Sequence, residues 1–500
     1  MNPIKNKPDK SLLNKSHNSL KAATFINAFS KYSVVIMNLF FTAVLARLLT
    51  PNDYGIVAIL TVFTNFFVLF TDMGIGTAVV QNKELSKEDE NNIFSFSMIF
   101  GFGLAVLFSL FSVIIVRLYN NPVYYRLCPI LGISLMFSTF NMVPNALLMK
   151  RKLFVLAGMR KIVANVVSYV LAIMLAYFGF SYYAIVFQSV SSAIVIFLWN
   201  LKSTGIRCGT KHIMESVRKI LNFSVFQFLF SIVNYFTRNL DNLLTGYFFG
   251  QATLGYYDKA YKLMRYPVDN LTNVITPSIQ PILSDHQNDP DYVFQKYNKI
   301  VKLLALIATF ISTYCFFASR EVVLLFFGKQ WENSVACFHI LSISLAFQIV
   351  NGISGSIYQS LNKTKQLFLV GLINAVILIG SIVIGVIMGS IEALAMSYTI
   401  GFVIMFLISH YLLSRLCFGR SILVLLKNFW QEAVIYVVLF VVMFFVPTLD
   451  RLILSALLKF VICLAVYIVL LILTKEYKIY LSLLPNKLKK CFLKRKEQNE

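Results

Sequence analysis

The chain has 500 residues, of which 58% are hydrophobic and only 13% are charged. Soluble domains are about a quarter charged, so this composition excludes a soluble globular protein and predicts an all-α, polytopic membrane protein. The formal net charge of +23 does not require nucleic acid as a partner, because cytoplasmic loops of membrane proteins are rich in Lys and Arg.

Apolar runs recur along the whole chain at a length typical of transmembrane helices, without the two-residue alternation of barrel strands. We predict about 14 helical spans, since each span needs roughly 20 apolar residues. They form two pseudo-symmetric six-helix lobes plus two C-terminal helices. The predicted divisions are a cytoplasmic N-terminal tail 1–21, an N-lobe 22–200, a cytoplasmic linker 201–219, a C-lobe 220–413, spans thirteen and fourteen in 414–473, and a basic cytoplasmic tail 474–500.

The distribution of basic residues predicts the topology. Most of the 45 Lys and Arg residues fall in the N-terminal tail, in alternate loops and in the C-terminal tail. Positively charged loops stay in the cytoplasm, so an even number of spans with both termini cytoplasmic is expected. Contact with anionic lipid headgroups is a second explanation for the basic loops.

An internal repeat links the two lobes. Residues 130–137, with Asn141 after them, recur as residues 340–347 with Asn351. Because six spans separate the copies, both lobes enter the membrane the same way round, and such lobes hold their substrate between them. The alternative is chance similarity between two Leu- and Ile-rich stretches.

Polar side chains follow one face of spans seven and eight. In span seven they recur every three or four residues, which places them on one helix face. Span eight repeats this spacing from Asp258 to Asp269, and spans one and two also carry polar residues. The polar residues predicted to line an interior cavity are Asn27, Asn65, Asn234 and Gln227.

Charged residues inside these spans call for a functional explanation, since each costs roughly 2.5 to 3.5 kcal/mol in a bilayer. From Asp258 to Arg265 three cations face one carboxylate, which predicts an anionic substrate. The cations predicted to bind it are Arg238, Lys262, Arg265, Lys31 and Lys259. For Lys259, solvation at the outer surface is an alternative.

The intramembrane carboxylates allow two interpretations. Asp72, Asp241 and Asp258 are candidates for coupling transport to a proton or ion. Alternatively they only pair with cations, Arg238 with Asp241 and Asp258 with Lys262, as a brace within the helices.

The sequence does not indicate an enzyme. It has no Walker motif or Gly-rich nucleotide loop, and the predicted outer loops are too short for an elaborate catalytic site. The seven Cys residues form no CxxC pair, and neither His339 nor His410, which lie in predicted spans, has a second ligand three or four residues away. No cofactor and no metal site are therefore expected.

Two motif blocks resemble a known family. Residues 47–55 read RLLTPNDYG and are followed by DMGIG at 72–76, while residues 238–246 read RNLDNLLTG and are followed by LGYY at 254–257. Together they resemble the Wzx-type oligosaccharide flippases of the polysaccharide-export family. Met73 replaces the Leu expected after Asp72, which is a minor departure.

The resemblance implies membership in the superfamily of multidrug, oligosaccharidyl-lipid and polysaccharide (MOP) exporters. It implies a substrate of undecaprenyl-pyrophosphate carrying an oligosaccharide repeat unit, flipped from the inner to the outer leaflet of the bacterial cytoplasmic (inner) membrane by alternating access. The product would serve O-antigen, capsule or exopolysaccharide synthesis. The expected partners are this lipid-linked glycan, membrane lipids, and the polymerase and other polysaccharide-assembly proteins.

Other functions remain open from the sequence. A flippase for the peptidoglycan precursor and a drug exporter belong to the same superfamily, although a cation-rich cavity would repel cationic drugs. A polysaccharide polymerase or ligase would need a large outer loop with catalytic residues. An apolar interior free of charge would favour a scaffold or insertion factor without transport activity.

Overall fold

The structure is a computed structural model that describes residues 33–72, 75–82, 84–151, 153–209, 213–218, 225–427 and 429–483. Within these ranges the regular secondary structure is helical, and no strand occurs. The prediction of an all-α membrane protein is confirmed.

Two compact units divide the chain, Met1–Ala252 (unit 1) and Thr253–Glu500 (unit 2). The helices described in unit 1 are α1 (Ser33–Leu48), α2 (Pro51–Asp72), α3 (Ile75–Gln81), α4 (Lys87–Tyr119), α5 (Tyr124–Phe140), α6 (Met142–Lys150), α7 (Phe154–Tyr177), α8 (Tyr183–Thr204), α9 (Ile213–Arg218) and α10 (Val225–Phe248).

Helix α11 (Gln251–Ser284) begins at the boundary and leads into unit 2. The helices that follow are α12 (Pro290–Phe317), α13 (Ser319–Phe327), α14 (Asn333–Asn351), α15 (Ser354–Ser360), α16 (Thr364–Ile387), α17 (Ile391–Phe418), α18 (Ile422–Lys427), α19 (Trp430–Phe444), α20 (Leu452–Leu473) and α21 (Tyr477–Leu483), with a short 3₁₀ turn at Lys329–Trp331.

Ten segments of the described chain are long and apolar enough to cross a membrane. Helices α1 and α19 are apolar but shorter. Helices α10 and α11 are long, and they carry the polar stripes predicted from the sequence. The chain is therefore polytopic, and the total of about 14 spans stays a prediction.

Both units repeat one packing pattern. In unit 1, α5 packs on α4 and α8, and α8 packs on α7; in unit 2, α14 packs on α12 and α17, and α17 packs on α16. Helices α7 and α16 each have 24 residues, and they start at the same offset that relates residues 130–137 to residues 340–347. This agreement supports the predicted internal repeat.

Helix α10 packs within unit 1. The Tyr235 hydroxyl donates a hydrogen bond to the carbonyl of Val62 on α2 at 2.5 Å, and the Tyr119 hydroxyl donates one to the carbonyl of Leu243 at 3.2 Å. The packing boundary thus follows α10, whereas the repeat predicts a lobe boundary at residues 201–219. The lobe boundary at residues 201–219 therefore remains a prediction that is based on the internal repeat.

The motif at residues 47–55 builds the start of α2. The backbone N–H of Thr50 donates to Asp53 Oδ2 at 2.9 Å, and the backbone N–H of Asp53 donates to Thr50 Oγ1 at 3.2 Å. This reciprocal capping box satisfies two backbone donors at the helix start, and Ser86 and Asp89 form another at α4. The Ser181 hydroxyl donates to the second oxygen of Asp53, so the motif also ties α2 to the turn before α8.

Gly55 completes this motif because no larger residue fits there. A Cβ at this position would overlap the backbone carbonyl of Gln251. We expect Gly55→Ala to lower the free energy of unfolding by about 1–3 kcal/mol, the usual cost of overpacking. Thermal unfolding of the purified protein in detergent would measure it. Gly103 on α4 has no atom within 4 Å of such a Cβ, so equal losses in Gly55→Ala and Gly103→Ala would contradict this explanation.

Candidate functional site

Helix α11 presents one packed and one exposed face within unit 2. On the packed face, the hydroxyls of Tyr261 and Tyr398 on α17 are 3.1 Å apart, and Gln348 on α14 donates to Met264 Sδ at 3.3 Å. Tyr261 and Met264 are both buried. These contacts fix the rotation of α11 about its axis and therefore determine which side chains remain exposed.

The exposed face carries the charges. The side chains of Lys262, Arg265 and Asp269 are 52%, 28% and 48% exposed, respectively. Their spacing of three and four residues places them on one side of the helix, as the sequence predicts. The structure therefore brings Lys262 and Arg265 together.

Both of these cations have carboxylate partners one turn away. Lys262 Nζ lies 2.7 Å from Oδ2 of the buried Asp258. Arg265 contacts Asp269 through two bonds, Nη2 to Oδ1 at 2.5 Å and Nε to Oδ2 at 3.3 Å. The Asp258–Lys262 contact is the pair that the sequence offers as one of two interpretations of Asp258. Asp269 reduces the positive excess of this stretch to a single charge.

These ion pairs leave the cations available to a second anion. An ion pair with an exposed partner contributes only about 0–1 kcal/mol to stability. A guanidinium offers about five N–H donors, and the bonds from Arg265 to Asp269 use two of its three nitrogens. The arrangement can therefore bind a phosphate oxygen without breaking the packing of α11.

Lys259 lies in a different environment. Its side chain is buried, with Nζ 5.2 Å from the ring centroid of Phe327 and 5.7 Å from that of Trp331. Aromatic faces attract a cation at this distance. Solvation of Lys259 at a surface, one of the sequence-based alternatives, is therefore wrong. Its assignment to substrate binding stays a prediction that this burial disfavours.

Arg238 and Asp241, which the sequence spacing places on one face of α10, differ in burial. Arg238 is exposed, whereas Asp241 is fully buried in unit 1. One carboxylate oxygen of Asp241 accepts a hydrogen bond from the backbone N–H of Asn242 at 2.8 Å. Arg238 is thus accessible to an anionic ligand, and Asp241 belongs to the interior of the unit.

The remaining predicted site residues are only partly described. Lys31 and Asn27 lie outside the described residues. Asp72 ends α2 and Gln227 and Asn234 belong to α10, and the side chains of these three lie outside the described part of the chain. Asn65 on α2 is exposed.

Residue spacing along single helices does not predict two further ion-pair clusters. Lys459 Nζ lies 2.5 Å from Glu321 Oε1, the Ser455 hydroxyl donates to the same oxygen at 2.6 Å, and both charged side chains are 5% exposed. The signal for this pair is a Lys within an apolar span, which requires a partner. The partner cannot be identified from spacing because it is 138 residues away.

The second cluster joins α12 to the last helices. Lys302 Nζ lies 3.7 Å from Glu432 at the start of α19 and 3.5 Å from Glu476 just after α20. These ion pairs link α19 and the segment after α20 to α12 within unit 2. Among the described residues, no group of three or more His, Cys, Asp or Glu side chains could hold a metal ion.

Comparisons with known proteins agree with the motif blocks. Residues 44–336 match the profile of the polysaccharide biosynthesis protein family. The lipopolysaccharide biosynthesis protein WzxC of Escherichia coli strain K12 is 22% identical over 81% of this chain and 82% of that protein. The teichuronic acid biosynthesis protein TuaB of Bacillus subtilis strain 168 is 22% identical over 77% of this chain and 80% of that protein.

Solved structures show a shared fold. The lipid II flippase MurJ in its inward closed conformation superposes with a TM-score of 0.72 at 15% identity, covering 91% of this chain and 99% of that one. An inward-facing MATE multidrug resistance transporter of the MOP superfamily gives a TM-score of 0.60 at 15% identity, covering 79% and 96%. The resemblance predicted from the two motif blocks is confirmed, and the chain belongs to the polysaccharide biosynthesis protein family, with the fold of MOP transporters.

Proposed function

We propose that this protein is a flippase for a lipid-linked glycan. It moves an oligosaccharide repeat unit carried on undecaprenyl-pyrophosphate from the inner to the outer leaflet of the bacterial cytoplasmic membrane, and both of its termini are cytoplasmic. The glycan then enters O-antigen, capsule or exopolysaccharide synthesis, where a polymerase is the next partner.

The observation that carries this proposal is the exposed basic face of α11. The helix is buried along one side, yet it keeps Lys262 and Arg265 accessible on the other. Exposed charge on a helix of a membrane protein has a functional reason, because polar groups in lipid are costly. A phosphate-bearing substrate supplies that reason.

The chemistry of the substrate fits these side chains. Pyrophosphate oxygens accept short, charge-assisted hydrogen bonds from guanidinium and ammonium groups. Arg265 and Lys262 in unit 2 and Arg238 in unit 1 offer such donors, while the polyprenyl chain remains in lipid. Alternating access then exposes the head group first to one side and afterwards to the other. No covalent bond changes, so the protein is a transporter and not an enzyme.

The buried carboxylates of Asp258 and Asp241 have different roles in the proposed transport. Asp258 holds Lys262 in place through their ion pair. Asp241 lies in the interior of unit 1, where a carboxylate can take up a coupling proton or stabilise a nearby cation. Transport assays at varied proton and sodium gradients would show whether Asp241 takes up a coupling ion or only stabilises a nearby cation.

Deletion of the gene in its native host tests the proposed substrate. We expect undecaprenyl-pyrophosphate-linked repeat units to accumulate in the inner leaflet and surface polysaccharide to disappear, because synthesis continues while translocation stops. Extraction of lipid-linked sugars and mass spectrometry would measure this accumulation. A plasmid copy of the gene should reverse it, and accumulation of the peptidoglycan precursor instead would contradict the proposal.

A further inference from the structure

Two carboxyl groups share one ammonium where α12 packs against α19 in unit 2. Lys302 Nζ on α12 lies 3.5 Å from Glu476 Oε1, in the segment after α20, and 3.7 Å from Glu432 Oε1, in the first turn of α19. The side chains of Glu432 and Glu476 are only 4% and 8% exposed. If all three groups were charged, the cluster would bury one uncompensated negative charge, which is strongly unfavourable away from water.

Glu432 is the carboxyl group that its surroundings do not stabilise as an anion. Neither of its oxygens has a hydrogen-bond partner among the described residues, and neither is accessible to solvent. The Lys302 ammonium is too far from Glu432 for a hydrogen bond, whereas it donates one to Glu476 at 3.5 Å. A carboxyl group that accepts no hydrogen bond and meets no water favours its neutral, protonated form.

The tyrosine beside the cluster does not supply the missing donor. Tyr467 on α20 faces Glu432, but its hydroxyl donates to a backbone carbonyl of α12 at 3.0 Å and lies 2.8 Å from the hydroxyl of Tyr480 on α21. An ordinary phenol has a pKa of about 10, so this side chain stays neutral near neutral pH. The titratable groups that face Glu432 in the described part of unit 2 are therefore Lys302, Glu476 and Tyr467.

The ligand that fits this site is a proton. A metal ion needs several oxygen ligands and the space to arrange them, which the enclosed oxygens of Glu432 do not offer. A proton needs no cavity, and it can arrive through Lys302, whose side chain is 22% exposed and flexible. An N–H bond of the ammonium breaks as the O–H bond of Glu432 forms, and the lysine then takes a proton from water.

We propose that Glu432 is a proton-binding site, which holds one proton while Lys302 and Glu476 form an ion pair beside it. One cation, one carboxylate and one neutral acid leave the cluster without net charge. The site lies on α12, α19 and the segment after α20, whereas the proposed substrate contacts lie on α10 and α11. It therefore does not rest on the proposed transport of glycan.

Infrared spectroscopy of the purified protein in nanodiscs tests this site. A protonated carboxylic acid has a C=O stretching band that an ionised carboxylate lacks. At neutral pH, the difference spectrum between the natural protein and Glu432→Gln should contain this band, because the substitution removes the protonated group. A difference spectrum with only the bands of an ionised carboxylate would overturn the proposal.

Glu392 provides the matched control. Like Glu432, it lies in the first turn of an apolar helix, but it is exposed. Glu392→Gln should remove carboxylate bands and leave the carboxylic-acid band unchanged at neutral pH, since an exposed Glu is ionised there. Equal loss of the carboxylic-acid band in both variants would show that burial is not its cause and would overturn the proposal.

A second variant tests the sharing of the ammonium. Glu476→Gln leaves Glu432 as the one carboxyl group near Lys302 among the described residues. Lys302 and Glu432 then form a neutral pair, so Glu432 should ionise and its carboxylic-acid band should disappear at neutral pH. Persistence of the band would overturn the explanation on which the site rests.

The bound proton also predicts how stability changes with pH. The folded protein holds a proton that the unfolded chain releases above about pH 4.3, so rising pH should favour unfolding of the natural protein relative to Glu432→Gln. The ratio of the two unfolding constants should change by up to about ten-fold per pH unit between about pH 5 and 7, the limit for one proton. A ratio that is independent of pH, or that changes in the opposite direction, would overturn the proposal.

These measurements do not depend on transport. A proton on Glu432 in a protein that fails to translocate lipid-linked glycan would refute the proposed function and leave the site intact. Translocation by a protein whose Glu432 is ionised would refute the site alone.

Discussion

Replacement of Arg265 by Ala is expected to reduce glycan export about 30-fold or more, because losing one partner of a charge-assisted pair costs about 2–5 kcal/mol. The variant should remain in the membrane, since the Arg265 side chain lies on the exposed face of α11 and not on its packed face. Surface polysaccharide in a deletion strain that expresses each variant would measure the effect. Normal surface polysaccharide in the Arg265→Ala strain would contradict the proposed role.

A charge swap separates substrate binding from bracing. Arg265→Asp combined with Asp269→Arg keeps the ion pair within α11 but moves the guanidinium by one helical turn. If Arg265 only braces the helix, the swapped protein should export glycan normally. We expect export to stay low, because the pyrophosphate would meet a carboxylate where it needs a cation.

Arg420 is the matched control for Arg265. Its Nη2 lies 2.7 Å from Asp291, and the Arg420 side chain is 39% exposed. Arg420→Ala therefore removes a similar Arg–Asp pair from a different surface of unit 2. Export should fall by less than about five-fold, since exposed ion pairs are worth about 0–1 kcal/mol.

Replacement of Lys459 by Met is expected to lower the free energy of unfolding by about 3–5 kcal/mol, because it leaves the buried Glu321 carboxylate without its cation. Thermal unfolding in nanodiscs would measure the loss. Adding Glu321→Gln should restore most of the stability, since no buried charge then remains. Lys329→Met, at an exposed lysine, should have little effect, and a loss of stability equal to that of Lys459→Met would contradict the explanation.

The Glu321–Lys459 pair predicts that the stability of the protein depends on pH. Burial alone would raise the pKa of the Glu321 carboxyl, but the hydrogen bonds from Lys459 and Ser455 outweigh it and hold that pKa below its ordinary value. A depressed pKa stabilises the protein above the ordinary value for Glu, about 4.3, and this contribution is lost as the pH falls through the folded-state pKa.

In the Lys459→Met variant, the contribution of Glu321 to the free energy of unfolding should depend on pH in the opposite direction. Without the ammonium, burial dominates and raises the pKa of Glu321, so protonation at lower pH relieves the uncompensated charge. The stability difference between the variant and the natural protein should therefore shrink as the pH falls. A difference that stays constant between neutral and acidic pH would contradict the assigned pair.

The sequence predicts local features of α11 well. Spacing of three and four residues places Lys262, Arg265 and Asp269 on one face, because the helical period depends on position alone. The same spacing offers the Asp258–Lys262 pair as one of two interpretations of Asp258, and the structure contains that contact. Counting charges only as far as Arg265 overestimates the positive excess, because Asp269 lies one turn further on and neutralises Arg265.

Features that depend on distant segments could not be predicted in this way. Lys259 is buried because the rings of Phe327 and Trp331 lie over it, and neither is near it in the sequence. The Glu321–Lys459 pair and the packing of α10 within unit 1 likewise depend on residues that are far apart in the sequence. Periodicity gives the direction of a side chain from its own helix but not the neighbour that it meets.

The motif at residues 47–55 shows what the sequence predicts and what it does not. It identifies the family resemblance from the sequence alone, yet its physical reason appears only in three dimensions. Thr50 and Asp53 cap α2, and Gly55 permits close approach of the Gln251 backbone. These residues therefore maintain packing, while the candidate substrate contacts lie on α10 and α11.

Translocation in proteoliposomes tests most directly whether this chain flips a pyrophosphate-linked glycan, as we propose. The purified protein would be reconstituted with undecaprenyl-pyrophosphate carrying the repeat unit, and a membrane-impermeant lectin would detect glycan that reaches the outer leaflet. We expect rapid appearance of glycan with the natural protein and little with Arg265→Ala. Appearance at the rate of protein-free liposomes, or at equal rates for both proteins, would contradict it.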